Sequence, residues 1–224
     1  TCALPISQVS NNSGTTSAAP YLNVANKPVT FTINGTTAIG ATAGRTGAKY
    51  VFVNVPAQLA GKVQKDGNAT VDTTVTVLAS DIKAVTGTVL DLVTSLTGLL
   101  TTLGLGTLVT NLNSTVTALN KEDFGRQVFL SPVEQYSSTL LRAGISQGLL
   151  PIITNALIIR LQAIQAIVQG ITPLPLINVV LNNLLTALTN TISTLGNANS
   201  TVSKNLVAAS ILGSTSVSFP TLVS

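Results

Sequence analysis

From Asp81 to Asn120 the chain carries a sustained apolar seam, with Ile82, Val85, Val89, Leu92, Leu96, Leu99 and Leu103 at spacings of three and four. That period is the face of an α-helix, and its length demands a packing partner along several turns. Between the seam positions stand Thr86, Thr88, Thr94, Ser95, Thr97, Thr101 and Thr102, where an exposed helix face usually carries Lys and Glu. The helix is therefore amphipathic yet almost uncharged. Its chemistry is packing, and it holds no reacting group. Ser80 or Asp81 is the expected N-cap, because a short side-chain oxygen there accepts from free backbone N–H groups. The pattern breaks at Gly104-Leu105-Gly106 and resumes through Leu108, Leu112, Val116 and Leu119, which predicts a helical hairpin or a kinked helix.

The period differs on either side of this region. Residues 1–26, rich in Ser, Asn, Thr, Gly and Ala, read as a flexible leader or linker. From Lys27 the period becomes two: Val29, Phe31 and Ile33 share one face of a strand, and Asn34-Gly35 signals a turn. Residues 39–47 read as a loop or weak strand, residues 49–55 as a strand stopped by Pro56, and residues 57–62 as a short helical turn. Lys65-Asp66-Gly67-Asn68 predicts a tight turn before a β-branched strand over residues 70–78. Beyond the seam, Lys121-Glu122-Asp123 reads as a solvated connection, and residues 126–130 as a short strand ended by Ser131-Pro132. From Val133 the reading is helical, with Leu141, Ile145 and Leu149 on one face and Pro151 starting or kinking the next segment. Ile153, Leu157, Leu161, Ile164, Val168 and Ile171 extend that stripe to a corner at residues 172–175. Ile177, Val180, Leu184, Leu188, Ile192 and Leu195 form one more seam, closed by residues 196–199. Residues 206–212, then Val217 and Phe219 alternating with serines, read as the closing strands.

The order of these patterns predicts an α+β fold: an antiparallel β-sandwich-like module made by the N- and C-terminal strands, with a large inserted Leu/Thr-rich helical region. In domain terms this gives a leader at 1–26 and a single domain at 27–224. Its β parts fall at 27–79 and 205–222, and its helical insertion at about 81–196. The four seams are expected to form a bundle and pack on the sheet.

Composition removes most chemistry. The 224 residues include no His, Met or Trp and one Cys, so a Ser–His or Cys–His nucleophile is ruled out and His/Cys metal sites cannot be built. One Cys makes no internal disulfide, and Cys2 reads as an inert thiol or remnant in preference to a lipid attachment point. The missing initiating Met leads to the expectation of a processed or excised chain. A carboxylate metal site from Glu122, Asp123 and a distant Asp has no supporting spacing. The same holds for a glycosidase pair drawn from Asp66, Asp72, Asp81, Asp91 and Glu134. Gly104-Leu105-Gly106 lacks the lysine, the further glycine and the preceding strand of a phosphate loop. Catalytic, cofactor-binding and metal residues are accordingly none, and no ligand-binding residue is assigned. Charged residues make up 8%, against a usual ~25%. The eleven Lys and Arg are scattered singly, which excludes a nucleic-acid interface. Residues 92–120 and 161–203 carry no charge and are long enough to span a bilayer. Their Thr, Ser, Asn and Gln face favours helices packed in a bundle. The sequons at Asn11, Asn34, Asn68, Asn113 and Asn199 are weak evidence of eukaryotic secretion, and disulfide-free, Thr- and Asn-rich composition points more to a bacterial exported protein.

Thr- and Asn-rich β segments, the Leu/Thr run Val89-Leu90-Asp91-Leu92-Val93-Thr94-Ser95-Leu96-Thr97-Gly98-Leu99-Leu100, and the lack of His and Cys pairs together resemble the N-terminal adhesive regions of Gram-positive cell-surface proteins. The resemblance lies in composition and layout over residues 25–222, without a wall-sorting motif or stalk repeat. It implies a non-enzymatic, extracellular, cell-surface or wall-associated domain that binds a host or surface ligand (a protein, a glycan or a hydrophobic surface). The second-ranked reading is a membrane-active, pore-forming or lipid-binding helical protein; the third is a structural surface-layer or coat component.

Overall fold

The computed structural model describes residues 8–15, 18, 26–36 and 48–224. Its elements are β1 (Gln8–Asn11), β2 (Lys27–Thr36), β3 (Tyr50–Asn54), β4 (Val63–Lys65), β5 (Asn68–Thr76), α1 (Ala79–Thr102), α2 (Gly106–Leu119), β6 (Asp123–Ser137), β7 (Leu140–Gly144), α3 (Ser146–Gln169), α4 (Asn178–Gly196), α5 (Thr201–Ala209) and β8 (Ile211–Val223). The class is α+β, as the order of patterns predicts. Contacts divide the chain into a sheet unit (Thr1–Thr76, Gly125–Leu149, Ser210–Ser224) and a helical unit (Val77–Phe124, Leu150–Ala209). Cys2 and the expected loop at 39–47 lie outside the described residues.

In the sheet unit the strands form one curled antiparallel sheet in the order β1-β2-β8-β5-β6-β7-β3, with β4 also on β8. The N- and C-terminal strands pair as expected, in unbroken register from Lys27↔Val223 to Thr36↔Ser214. This ladder overrides the expected turn at Asn34-Gly35, because β8 supplies a partner for each residue beyond it. Along β8, Thr215, Val217, Phe219, Thr221 and Val223 are buried in strict alternation, and the hydroxyls in that row are satisfied. Thr215 Oγ1 bonds Thr73 Oγ1 at 2.6 Å, and Thr221 Oγ1 donates to Val29 O at 2.6 Å. Between Thr73↔Thr215 and Val75↔Leu212 the register slips by one residue on β8, which returns Leu212 to the buried face. A Cβ on Gly213 at that bulge would meet Thr74 Oγ1 at 2.2 Å.

Further stretches depart from the sequence reading. Lys65-Asp66-Gly67-Asn68 does not reverse the chain: Lys65 pairs with Thr221 and Thr70 with Ser218, so β4 and β5 run on along the same edge of β8. Ala69 stays buried in β5, and Asp66 and Gly67 interrupt the ladder, Gly67 at φ +91°. They lie opposite Pro220, whose carbonyl accepts from Asp66 N at 3.0 Å and whose imino nitrogen offers no donor to that side. Residues 133–144, expected to be helical, are the β6–β7 hairpin. Leu141, Ile145 and Leu149 are all buried, but on a strand, a connection and a helix; their spacing of four is coincidental. Strand β6 also continues through Ser131-Pro132, where the buried Ser131 hydroxyl donates to Gly144 O. Residues 206–209 belong to helix α5 and not to a strand. The Ser200 hydroxyl accepts from Ser203 N at 3.1 Å and starts that helix, and Ser203, Leu206 and Val207 are its buried face. Finally, β1 arises within the stretch read as leader, pairing Gln8↔Asn34 through Asn11↔Phe31.

In the helical unit α1 packs on α2, α4 and α5. Its buried seam is Ile82, Thr86, Val89, Val93, Leu96 and Leu100. The expected seam shares Ile82, Val89 and Leu96, but Val85, Leu92 and Leu99 are only half-buried and Leu103 is exposed. Both sets satisfy the same three–four spacing, and the surrounding helices choose between them. Thr86 enters the core because its hydroxyl donates to Ile82 O at 2.9 Å. The break at Gly104 resolves as a hairpin. Gly104, at φ +73°, closes a Schellman turn in which Leu105 N donates to Leu100 O at 2.9 Å and Gly104 N to Thr101 O at 3.0 Å. All six residues expected on the α3 stripe are buried.

Candidate functional site

The charge cluster at Lys121-Glu122-Asp123 is structural. Neither Ser80 nor Asp81 caps α1; the side chain of Glu122 accepts from Ala79 N at 2.7 Å, and its carbonyl accepts from Val77 N at 2.9 Å. Arg160 of α3 sits over the Phe124 ring at 4.3 Å and donates to Lys121 O at 2.7 Å, beyond the C-terminus of α2. Burial lowers the Arg160 pKa from the ordinary arginine range, with Asp123 opposing that shift. Among the described residues no group of three or more His, Cys, Asp or Glu is placed to hold a metal ion. The carboxylates weighed for a glycosidase pair include two committed elsewhere: Asp72 to Arg126 and Glu134 to Arg142.

A face open to a partner is the outer side of β6, β7 and β3. Alternation along β6 puts Val128, Leu130 and Tyr136 outside at 59%, 64% and 62% exposure, on the same face as Arg126, Pro132 and Glu134. The register continues the face across the sheet: Glu134 lies opposite Arg142, and Arg142 opposite Phe52. Arg142 is the hinge of the cluster. Its guanidinium bonds Glu134 Oε2 through Nε at 2.7 Å, and it lies 4.6 Å from the Tyr50 ring centroid and 4.5 Å from that of Tyr136. Tyr50 and Phe52 follow at 6.2 Å between centroids. The Glu134 bond raises the Arg142 pKa, so the cation is fixed at any physiological pH. At the far end of the face, Arg126 grips Asp72 through Nε–Oδ1 at 2.7 Å and Nη2–Oδ2 at 2.5 Å, and that contact holds the Asp72 carboxyl below the usual range.

An apolar strip bounded by two ion pairs, with tyrosines held by an arginine, has the residue types that dominate protein recognition surfaces. No redox or nucleophilic group lies on it. Sequence reasoning missed this face because it took residues 133–144 as helical, which scatters Glu134, Tyr136 and Arg142. The available signals were the strand-prone run Val128-Phe129-Leu130 and the turn residues Ser137-Ser138-Thr139. In the helical unit, α1 and α3 are each long and apolar enough to cross a membrane by length and composition.

Comparison with known proteins gives one finding: residues 6–224 match a family model described as "Putative adhesive domain (group 17)". No curated protein and no solved structure matches.

Proposed function

Since the chain belongs to the group 17 family of adhesive domains, we propose that it is a non-enzymatic adhesion domain of an exported surface protein and that it attaches through the outer face of β6, β7 and β3. The observation that carries the choice of face is Arg142 held between Tyr50 and Tyr136 beside exposed Val128 and Leu130. Rigid tyrosines lose little side-chain freedom on binding, and the surrounding aliphatic surface gives up water readily. Bacterial display on a cell wall, with a host protein, a glycan or a hydrophobic surface as ligand, fits the low charge and the Thr-rich composition.

The test is binding of the purified chain to immobilised matrix proteins, a glycan array and a hydrophobic surface. Tyr136→Ala and Arg142→Ala should each weaken the productive interaction by about tenfold or more, on the scale of interface hot spots. Undiminished binding by both variants would move the site elsewhere. A second reading, membrane activity, draws on the length and apolar composition of α1 and α3. Dye release from liposomes separates the two, since an adhesion domain leaves vesicles sealed. Self-assembly without any ligand would instead support a surface-layer or coat role.

A further inference from the structure

The helical unit contains a pocket of about 160 Å³ between α1 and α5. Ala84, Val85, Val202 and Leu206 give it apolar walls, and Asp81 and Asn205 supply its polar groups. No lysine or arginine lines it. Asp81 Oδ2 is buried without a hydrogen-bond partner, the only such side-chain atom among the described residues. The usual explanation for an acid in the first turn of a helix, capping, does not apply, because Glu122 already serves Ala79 N. An unpaired buried carboxylate oxygen is costly, and the terminal torsion of Asp is broad enough to swing the group toward an incoming donor.

We propose that this pocket receives a primary ammonium group on a short alkyl chain, the chemistry a lysine side chain presents. The ammonium bonds the Asp81 carboxylate and the Asn205 amide oxygen while the methylenes line the Val85, Val202 and Leu206 walls. The volume equals about five waters at roughly 30 Å³ each, which suits the five heavy atoms of an aminobutyl group. A divalent cation is a poor fit, since one carboxylate and one amide fall short of the six or more oxygens calcium takes. The site is in a different unit from the tyrosine face and stands or falls separately from it.

The full chain is titrated, with amide resonances followed by NMR, using n-butylammonium chloride and lysine capped as its Nα-acetyl, N-methylamide form. Capped norleucine serves as the uncharged control. Saturable shifts centred on Val85, Val202 and Asn205 are expected with the amines and not with norleucine. Asp81→Asn should weaken binding at least about tenfold, the range for a hydrogen bond to a charged group. Val202→Trp, at a partly exposed position, should block entry independently. Binding of capped lysine identifies a polypeptide source, and binding of butylammonium alone a free amine; either supports the site. No saturable shift, or affinity unchanged in both variants, means a solvent-filled pocket only and overturns it.

Discussion

Gly148, in the first turn of α3, lies under the ring of Phe129: an added Cβ would stand 2.1 Å from Cδ2 and 2.2 Å from Cε2. Gly148→Ala should therefore destabilise by about 1–3 kcal/mol, the range for overpacking. Combining it with Phe129→Leu should recover part of the loss; urea midpoints of the three variants read this coupling directly. A second residue-scale prediction concerns Asp72. Because its carboxyl titrates lower in the folded chain than in the unfolded one, the Arg126 pair contributes stability above the unfolded value and loses it as the pH falls through the folded one. Carboxyl NMR should place the Asp72 midpoint below the ordinary aspartate range, and Arg126→Ala should raise it. An unmoved midpoint would show that the pair does not form in solution.

On α1 the competing seams can be separated by truncation. Leu100 is fully buried, whereas Leu103 is 36% exposed. Leu100→Ala should cost about 2–5 kcal/mol, and Leu103→Ala well under half as much. Equal losses in thermal or urea melts would show that the helix is rotated from the orientation described here. The uncharged helix surfaces satisfy their polar groups internally. Thr94, Thr101, Thr102, Thr110, Thr117, Thr186, Thr189 and Thr194 each donate to the carbonyl four residues back. Their hydroxyls are thus satisfied by the helix itself, and helicity rests on burial of the apolar seams, since this back-bonding adds no helix stability of its own.

At the scale of the molecule, β8 is the strand on which the sheet unit depends. It pairs with β2 on one side and with β4 and β5 on the other. Deleting residues 205–224 removes it and exposes Val29, Ile33, Val71 and Val75, which are buried at 3% exposure or less. Lost burial is worth ~25 cal/mol per Å² of apolar area, and two strand edges become unpaired. The truncated chain should aggregate or be rapidly degraded. A soluble truncation melting at the parent's midpoint, followed by circular dichroism, would reject the central role of β8.

The sequence by itself determined the α+β class, the strand at Val29 and Ile33, the buried α3 stripe, and the absence of histidine-dependent chemistry. These follow from period and composition, which survive any choice of neighbours. Only tertiary structure decided which of two equally spaced seams α1 buries, that Asn34-Gly35 stays extended against β8, and that Glu122 caps a helix whose start lies 43 residues earlier. It also decided that residues 133–144 turn back as a hairpin, and so brought Tyr136 and Arg142 beside Tyr50. The physical reason is common to all four: where local preference leaves two conformations nearly equal, partners distant in the chain supply the difference through burial and ladder hydrogen bonds. The face proposed for attachment is of that kind, because β7 contributes only Arg142 and β3 only Tyr50 and Phe52 beside the β6 residues, and no strand carries a motif alone.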